Sequence, residues 1–328
     1  MMTITRDELE SATRLVHGLM PPTPQYCWPL LCEALGTEVW VKHENHTPVG
    51  AFKLRGGLNY FHHLAERGDL PRGVISATRG NHGQSIGFAS RRVGVPATIV
   101  VPLGNSREKN AAMRALGVEL LEHGEDFQAA REYAATLAEA EVLHMVPAFH
   151  SALVAGVGTY SMELFGAVAE IDVAYVPIGM GSGICGMVAA RDALGLKTRI
   201  VGVVSAQAPA YAESFAAGRA IDRPTTTRLA DGMACRTPEP AALEMMLHGV
   251  DRIVTVTDDE IAGAMRLLFE CTHNVAEGAG AASLAAALKE RPQLTRRRVA
   301  LVLSGGNVDR SLFAEIMAAP VTEPAPSR

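Results

Sequence analysis

Val173-Ala174-Tyr175-Val176 is an apolar, β-rich run that leads through Gly179-Met180-Gly181-Ser182-Gly183 into a helical pattern ending near Leu194. The same order, a short strand pattern followed by a longer helical one, recurs along the chain. Val39-Trp40-Val41 precedes a helix over 51–67, Val74-Ile75-Ser76 one over 82–93, and Ala97-Thr98-Ile99-Val100-Val101 one over 106–116. Ile200-Val201-Gly202-Val203-Val204 precedes a helix over 210–217. Strands followed by helices predict mainly parallel sheets covered on both faces, an α/β architecture. The glycines between strand and helix also put backbone N–H groups at the positive end of a helix, the arrangement that receives a phosphate; an ordinary βα turn has the same composition.

The chain has 328 residues, 48% of them hydrophobic and 20% charged, with a net charge of -5. That length fills one large domain or two packed lobes, and the units between Gly73 and His144 suffice for a small sheet of their own. A negative balance without a long basic run gives no electrostatic footprint for nucleic acid or an anionic membrane surface. Charges at Arg6, Asp7, Glu8 and Glu10 interrupt any signal-peptide core, and no apolar run approaches the roughly 20 residues of a membrane span, so a cytoplasmic protein is expected. The five cysteines, Cys27, Cys32, Cys185, Cys235 and Cys271, are scattered without a CxxC pair and read as small buried hydrophobes rather than a disulfide framework or zinc site. Residues 321–328, rich in proline and polar side chains, read as a disordered tail.

Three further segments bear on chemistry. Lys53 lies in Ala51-Phe52-Lys53-Leu54-Arg55-Gly56-Gly57, at the start of a predicted helix after a Gly50 turn. There the helix dipole and neighbouring Arg55 are expected to lower its pKa, as an amine that acts as nucleophile and base requires. Ser304 ends the apolar strand Val299-Ala300-Leu301-Val302-Leu303 and opens Ser304-Gly305-Gly306-Asn307. Ser76-Ala77-Thr78-Arg79-Gly80-Asn81-His82-Gly83-Gln84 is a polar loop between strand and helix. His43-Glu44-Asn45-His46 carries paired histidines, but they fall inside the lysine segment and are not expected to bind metal; His62-His63 reads as decoration of a helix face.

In order, type and spacing these segments resemble the tryptophan synthase β family of fold-type II pyridoxal-phosphate enzymes, and most closely its threonine/serine dehydratase and serine racemase branch. Lys42-His43-Glu44-Asn45, Gly50 and Phe52-Lys53-Leu54-Arg55-Gly56 look like the family's Lys-x-Glu-Asn and Gly-Ser-Phe-Lys-x-Arg-Gly patterns, with Ala51 in place of the serine. The resemblance covers roughly Pro21 to Asp309 and implies a small lobe, 71–148, inserted into a large lobe, 1–70 and 149–320, with the cofactor between them in a homodimer. It implies pyridoxal 5'-phosphate on a Schiff base to Lys53 beside Phe52. Gly179, Met180, Gly181, Ser182 and Gly183 would hold the phosphate, Met180 and Ser182 replacing glycines of the dehydratases, and Ser304 would bond the pyridine nitrogen. A neutral hydroxyl there makes a weaker electron sink than a carboxylate would, which favours prompt loss of a β-leaving group.

By the same resemblance Asn81 would touch the cofactor 3′-oxygen, while Thr78, Gly80 and His82 would bind the substrate carboxylate. Gly232, in Ala230-Asp231-Gly232-Met233-Ala234, and Glu277, in Ala276-Glu277-Gly278-Ala279-Gly280-Ala281, would line the ring, although an acid at a helix start would look like Glu277. Arg79 replaces the serine that racemases of this family use as an acid, and a permanently charged guanidinium donates protons poorly. A dehydratase acting on a β-hydroxy-α-amino acid of the threonine/serine type is therefore expected over a racemase; 3-hydroxyaspartate, phenylserine and hydroxyectoine-derived intermediates are alternative substrates. Arg79 needs an anion, either a substrate carboxylate or a protein acid such as Glu277. Racemase-type metal sites place an acidic cluster after the next strand; Val203-Val204-Ser205-Ala206-Gln207-Ala208-Pro209 has none, so no metal site is expected.

Overall fold

The computed structural model describes residues 2–68 and 70–319; the tail expected to be disordered lies outside them. Ten strands among these residues form two sheets. In chain order they are β1 (Gln25–Cys27), β2 (Glu38–His43), β3 (Val74–Ala77), β4 (Ala97–Val101), β5 (Glu119–Glu122), β6 (His144–Met145), β7 (Val173–Pro177), β8 (Arg199–Ser205), β9 (Arg252–Val256) and β10 (Arg298–Leu303). The six-strand sheet has the order β1-β2-β10-β7-β8-β9 and is parallel except for β1, which pairs antiparallel with β2 at one edge. The four-strand sheet, β5-β4-β3-β6, is parallel throughout and takes its strands from 74–145.

Every residue of β7 is buried, as are all of β10 beyond Arg298. Strands covered on both faces cannot alternate apolar with polar, which is why both read as unbroken hydrophobic runs. The expected helix over 51–67 runs Lys53–Glu66 and packs on the helix Ser151–Ala167. Gly56 and Gly156 permit that crossing: a Cβ on Gly156 would lie 2.7 Å from Asn59 Cβ and 2.9 Å from Gly56 Cα.

The cysteine reading needs correction. Cys185 and Cys235 are buried, but Cys27 is exposed and Cys32 and Cys271 are half-buried; Cys27 Sγ lies 3.4 Å from Cys32 Sγ because β1 and the following helix, Pro29–Leu35, turn back on each other. His62 is half-buried and His63 exposed, and both pair with Glu66. Among the described residues no helix is long and apolar enough to cross a membrane, and no group of three or more His, Cys, Asp or Glu is placed to hold a metal.

Candidate active site

The C-terminal ends of β2, β7 and β10 lie side by side, and parallel sheets bind ligands at that end. Gly50 turns the chain there with a φ of +69°. Phe52 N then donates to Ser304 O at 3.0 Å, and Ala51 bridges Gly305, so the start of the Lys53 helix is pinned to the end of β10. Lys53 Nζ donates to Ser182 Oγ at 3.1 Å. Both side chains face a cleft of about 980 Å³.

Burial holds the Lys53 amine down to about 8. Arg55 takes no part in this, contrary to expectation. Its guanidinium is consumed by a buried network behind the site: Glu44 at 2.7 Å, Glu163 at 2.6 Å and Thr159 at 3.0 Å. Lys42 Nζ meets Glu163 from the other side at 2.6 Å. Burial opposes the charge on Glu163, but its bonds to Arg55 and Lys42 hold the carboxyl at about 2. Lys42, Glu44 and Arg55 of the lysine segment are thus a rigid backing for Lys53.

Gly179, Met180, Gly181, Ser182 and Gly183 form one wall of the cleft. Gly181 is the N-cap of the helix Ser182–Ala193, at φ +98°, and no side chain caps that helix, so its first-turn N–H groups are free for a ligand. A Cβ on Gly181 would stand 2.7 Å from Ala242 Cβ, and one on Gly179 would strike the carbonyl of Gly232. The glycines are therefore required by close packing as well as by conformation. Phe52 closes the floor, its ring edge 3.5 Å from the space a Gly183 side chain would take, and Ser304 is buried at the wall, its hydroxyl making no hydrogen bond among the described residues.

The opposite wall comes from the four-strand sheet. Thr78, Arg79, Gly80, Asn81 and His82 follow β3 and line the same cleft. Thr78 Oγ1 accepts from Gly80 N at 3.0 Å, and Gly80 N-caps the helix Asn81–Arg92 without a side-chain cap. Asn81 Nδ2 donates to Glu277 Oε1 at 2.7 Å, and Asn81 Oδ1 accepts from Asn307 Nδ2 at 2.9 Å, which fixes the amide. His82 Nε2 is buried without a partner; burial and the Lys53 charge hold the ring neutral, at about 3.

Glu277 N-caps the helix Gly278–Lys289 but its side chain does not cap it. It reaches Asn81 instead, and burial pushes its carboxyl up to about 7, with Lys109 pulling against this and Asp231 adding to it. Lys109, which the sequence reading did not single out, spans the cleft: its Nζ is 2.7 Å from Asp231 and 3.5 Å from Glu277. Of the alternatives for Arg79, the pairing with Glu277 does not form among the described residues. Only the position of Lys109, one turn into the helix capped by Ser106 after β4, carried any signal. Cys235 also lines the cleft, its Sγ 3.8 Å from Met180 Sδ. A buried, near-neutral amine opposite an uncapped, glycine-lined helix start can hold a phosphate-bearing aldehyde by both its ends.

A family profile described as "Pyridoxal-phosphate dependent enzyme" matches residues 17–305. The chain is 33% identical over 315 residues, 96% of its length and 78% of the relative's, to the L-threonine ammonia-lyase of Thermotoga maritima. It is 29% identical over 318 residues, 97% of either chain, to the L-threo-3-hydroxyaspartate ammonia-lyase of Saccharomyces cerevisiae. The solved maize serine racemase superposes with a TM-score of 0.89 at 27% identity, covering 96% of this chain and 97% of that one.

Proposed function

The chain belongs to the pyridoxal-phosphate-dependent enzyme family, and from that premise we propose that it is an ammonia-lyase that converts a β-hydroxy-α-amino acid of the threonine or serine type into a 2-oxo acid and ammonia. The single observation that carries this reading is the buried Lys53 amine, held at about 8 and 3.1 Å from the first residue of the glycine-capped helix. The residues present fit the cofactor: the uncapped helix start after Gly181 would receive its phosphate, Lys53 is low enough to be a nucleophile, and the Ser304 hydroxyl would bond a ring nitrogen without protonating it. Bound pyridoxal phosphate supplies the electron sink that makes the α-proton acidic.

The protein's own groups then divide the work. The free N–H groups at the start of the helix Asn81–Arg92, with the Thr78 hydroxyl, bind the α-carboxylate, and the neutral His82 ring lines the same loop. Asn81, held by Glu277 and Asn307, would contact the cofactor 3′-oxygen. Lys53 Nζ, neutral above about pH 8, takes the α-proton. The β-hydroxyl departs as water, and the released enamine takes up water to give the 2-oxo acid and ammonia, so the balance is one amino acid to one oxo acid and one ammonia. Residues 71–148 act as the lobe that carries the carboxylate loop, and 1–70 with 149–320 as the lobe that carries Lys53. The working form is a homodimer, as the family resemblance implies, and the charged first ten residues support a place in the cytoplasm.

The test is a screen of β-hydroxy amino acids for release of 2-oxo acid and ammonia from the pyridoxal-phosphate-loaded protein. Release from threonine or serine supports the reading. Exchange of the α-proton with inversion and no ammonia would make the protein a racemase instead.

A further inference from the structure

Four cationic side chains of the 52–109 region lie in or behind the cleft, and three are accounted for. Arg55 is neutralised by Glu44 and Glu163, Lys109 by Asp231 and Glu277, and Lys53 serves the cofactor. Arg79 lines the cleft, half-buried, and forms no ion pair among the described residues. Its backbone is fixed, since Asn105 Nδ2 donates to Arg79 O at 3.2 Å and to Asn110 Oδ1 at 2.7 Å. A guanidinium partly removed from water at the wall of a ligand site is unfavourable until an anion meets it. The cofactor phosphate is provided for by the Gly179–Gly183 wall, and the α-carboxylate by the uncapped helix start beside Thr78.

We propose that Arg79 is a specificity-determining residue that selects a β-hydroxy-α-amino acid carrying a second carboxylate on its β-carbon. The inference rests on the ammonia-lyase reading for its substrate scaffold and on the uncommitted charge of Arg79 for its side chain. A dicarboxylic substrate completes a charge-assisted, two-pronged contact with the guanidinium. A substrate ending in a methyl group strips water from the same cation and returns nothing, and a site built for a polar contact discriminates strongly against an analogue that lacks it.

The experiment compares the loaded wild type with Arg79→Ser and Arg79→Lys. It measures kcat/KM for threo-3-hydroxyaspartate and for threonine, and, by calorimetry on the resting enzyme, the binding of succinate and of butyrate. Arg79→Ser is expected to weaken succinate on the order of 10²-fold, to leave butyrate within about twofold, and to lower kcat/KM for 3-hydroxyaspartate relative to threonine by a similar factor. Arg79→Lys, which keeps the charge but not the fork, falls between the two. Equal losses for succinate and butyrate would put Arg79 on the α-carboxylate and overturn the proposal, as would no change in either. If the wild type releases ammonia from no β-hydroxy amino acid, the ammonia-lyase reading falls, while the succinate and butyrate comparison still decides the role of Arg79.

Discussion

Lys53 Nζ and Ser182 Oγ are 3.1 Å apart although 129 positions separate them in the chain. Each is the first residue of its helix, so two helix starts converge on one point, and both positive ends disfavour a charged amine there. Burial acts in the same direction.

The neutral fraction of Lys53 therefore sets how fast the empty protein captures its cofactor. The rate of reconstitution, followed by the visible absorbance band that develops, is expected to rise about tenfold per pH unit below about pH 8 and to level off above it. Lys53→Ala removes the nucleophile: the band is absent at every pH, and turnover falls by at least about 10³-fold. A variant that keeps the band would move the attachment point elsewhere.

Lys109→Met strips two acids of their cation. The Glu277 carboxyl, already at about 7, rises further because burial and Asp231 are then opposed by the Asn81 hydrogen bond without the Lys109 charge. Breaking a buried pair from one side costs about 3 kcal/mol or more, measured by denaturant unfolding of the loaded protein. Adding Glu277→Gln in the same chain replaces a carboxyl that is by then largely protonated at neutral pH, so it is expected to restore little of that loss at pH 7 and more as pH rises above it.

Glu163→Gln probes the network behind the site. It leaves Arg55 and Lys42 buried with one carboxylate fewer, and a loss of about 3 kcal/mol is expected. The pH dependence has a definite sign. Glu163 is held below its ordinary value, so its contribution is complete above pH 4.5 and disappears as pH falls toward about 2. Wild type should lose stability over that window, and Glu163→Gln should show a shallower slope there in acid titrations.

Gly156→Ala tests the close crossing of the two helices. The added methyl meets Asn59 and the backbone of Gly56, and about 1–3 kcal/mol of destabilisation is expected. Because the displaced helix begins with Lys53, cofactor affinity should fall in parallel, which titration of the absorbance band measures.

The legible part of the site was the part made of local constraints. Gly50 and Gly181 take positive φ in turns of their own segments, and Lys53 carried its context in neighbouring residues. Pairings between distant side chains left no such trace. Lys109 meets Asp231 across 122 positions and Arg55 meets Glu163 across 108; Lys109 does not break the pattern of its helix, whereas Glu163, the one charge in the apolar helix Ser151–Ala167, was a signal in the sequence that named no partner. The Arg79–Glu277 pairing failed for the same reason, since Lys109 reaches that carboxylate instead. Among the strands, β7, β8 and β10 announced themselves as buried runs. β1 and β6 have three and two residues, too few for any period, and β9 is half-buried along most of its length at the sheet edge.

The place of β10 has a consequence for how the protein is made. It pairs with β2 on one side and β7 on the other, yet a ribosome delivers it more than a hundred residues after β7. Until then the two halves of the six-strand sheet have no shared neighbour, and the Ser304 carbonyl that anchors Phe52 does not exist. Capture of the cofactor must therefore wait for nearly the whole chain to emerge, and a nascent polypeptide arrested before residue 298 exposes the unpaired edges of β2 and β7.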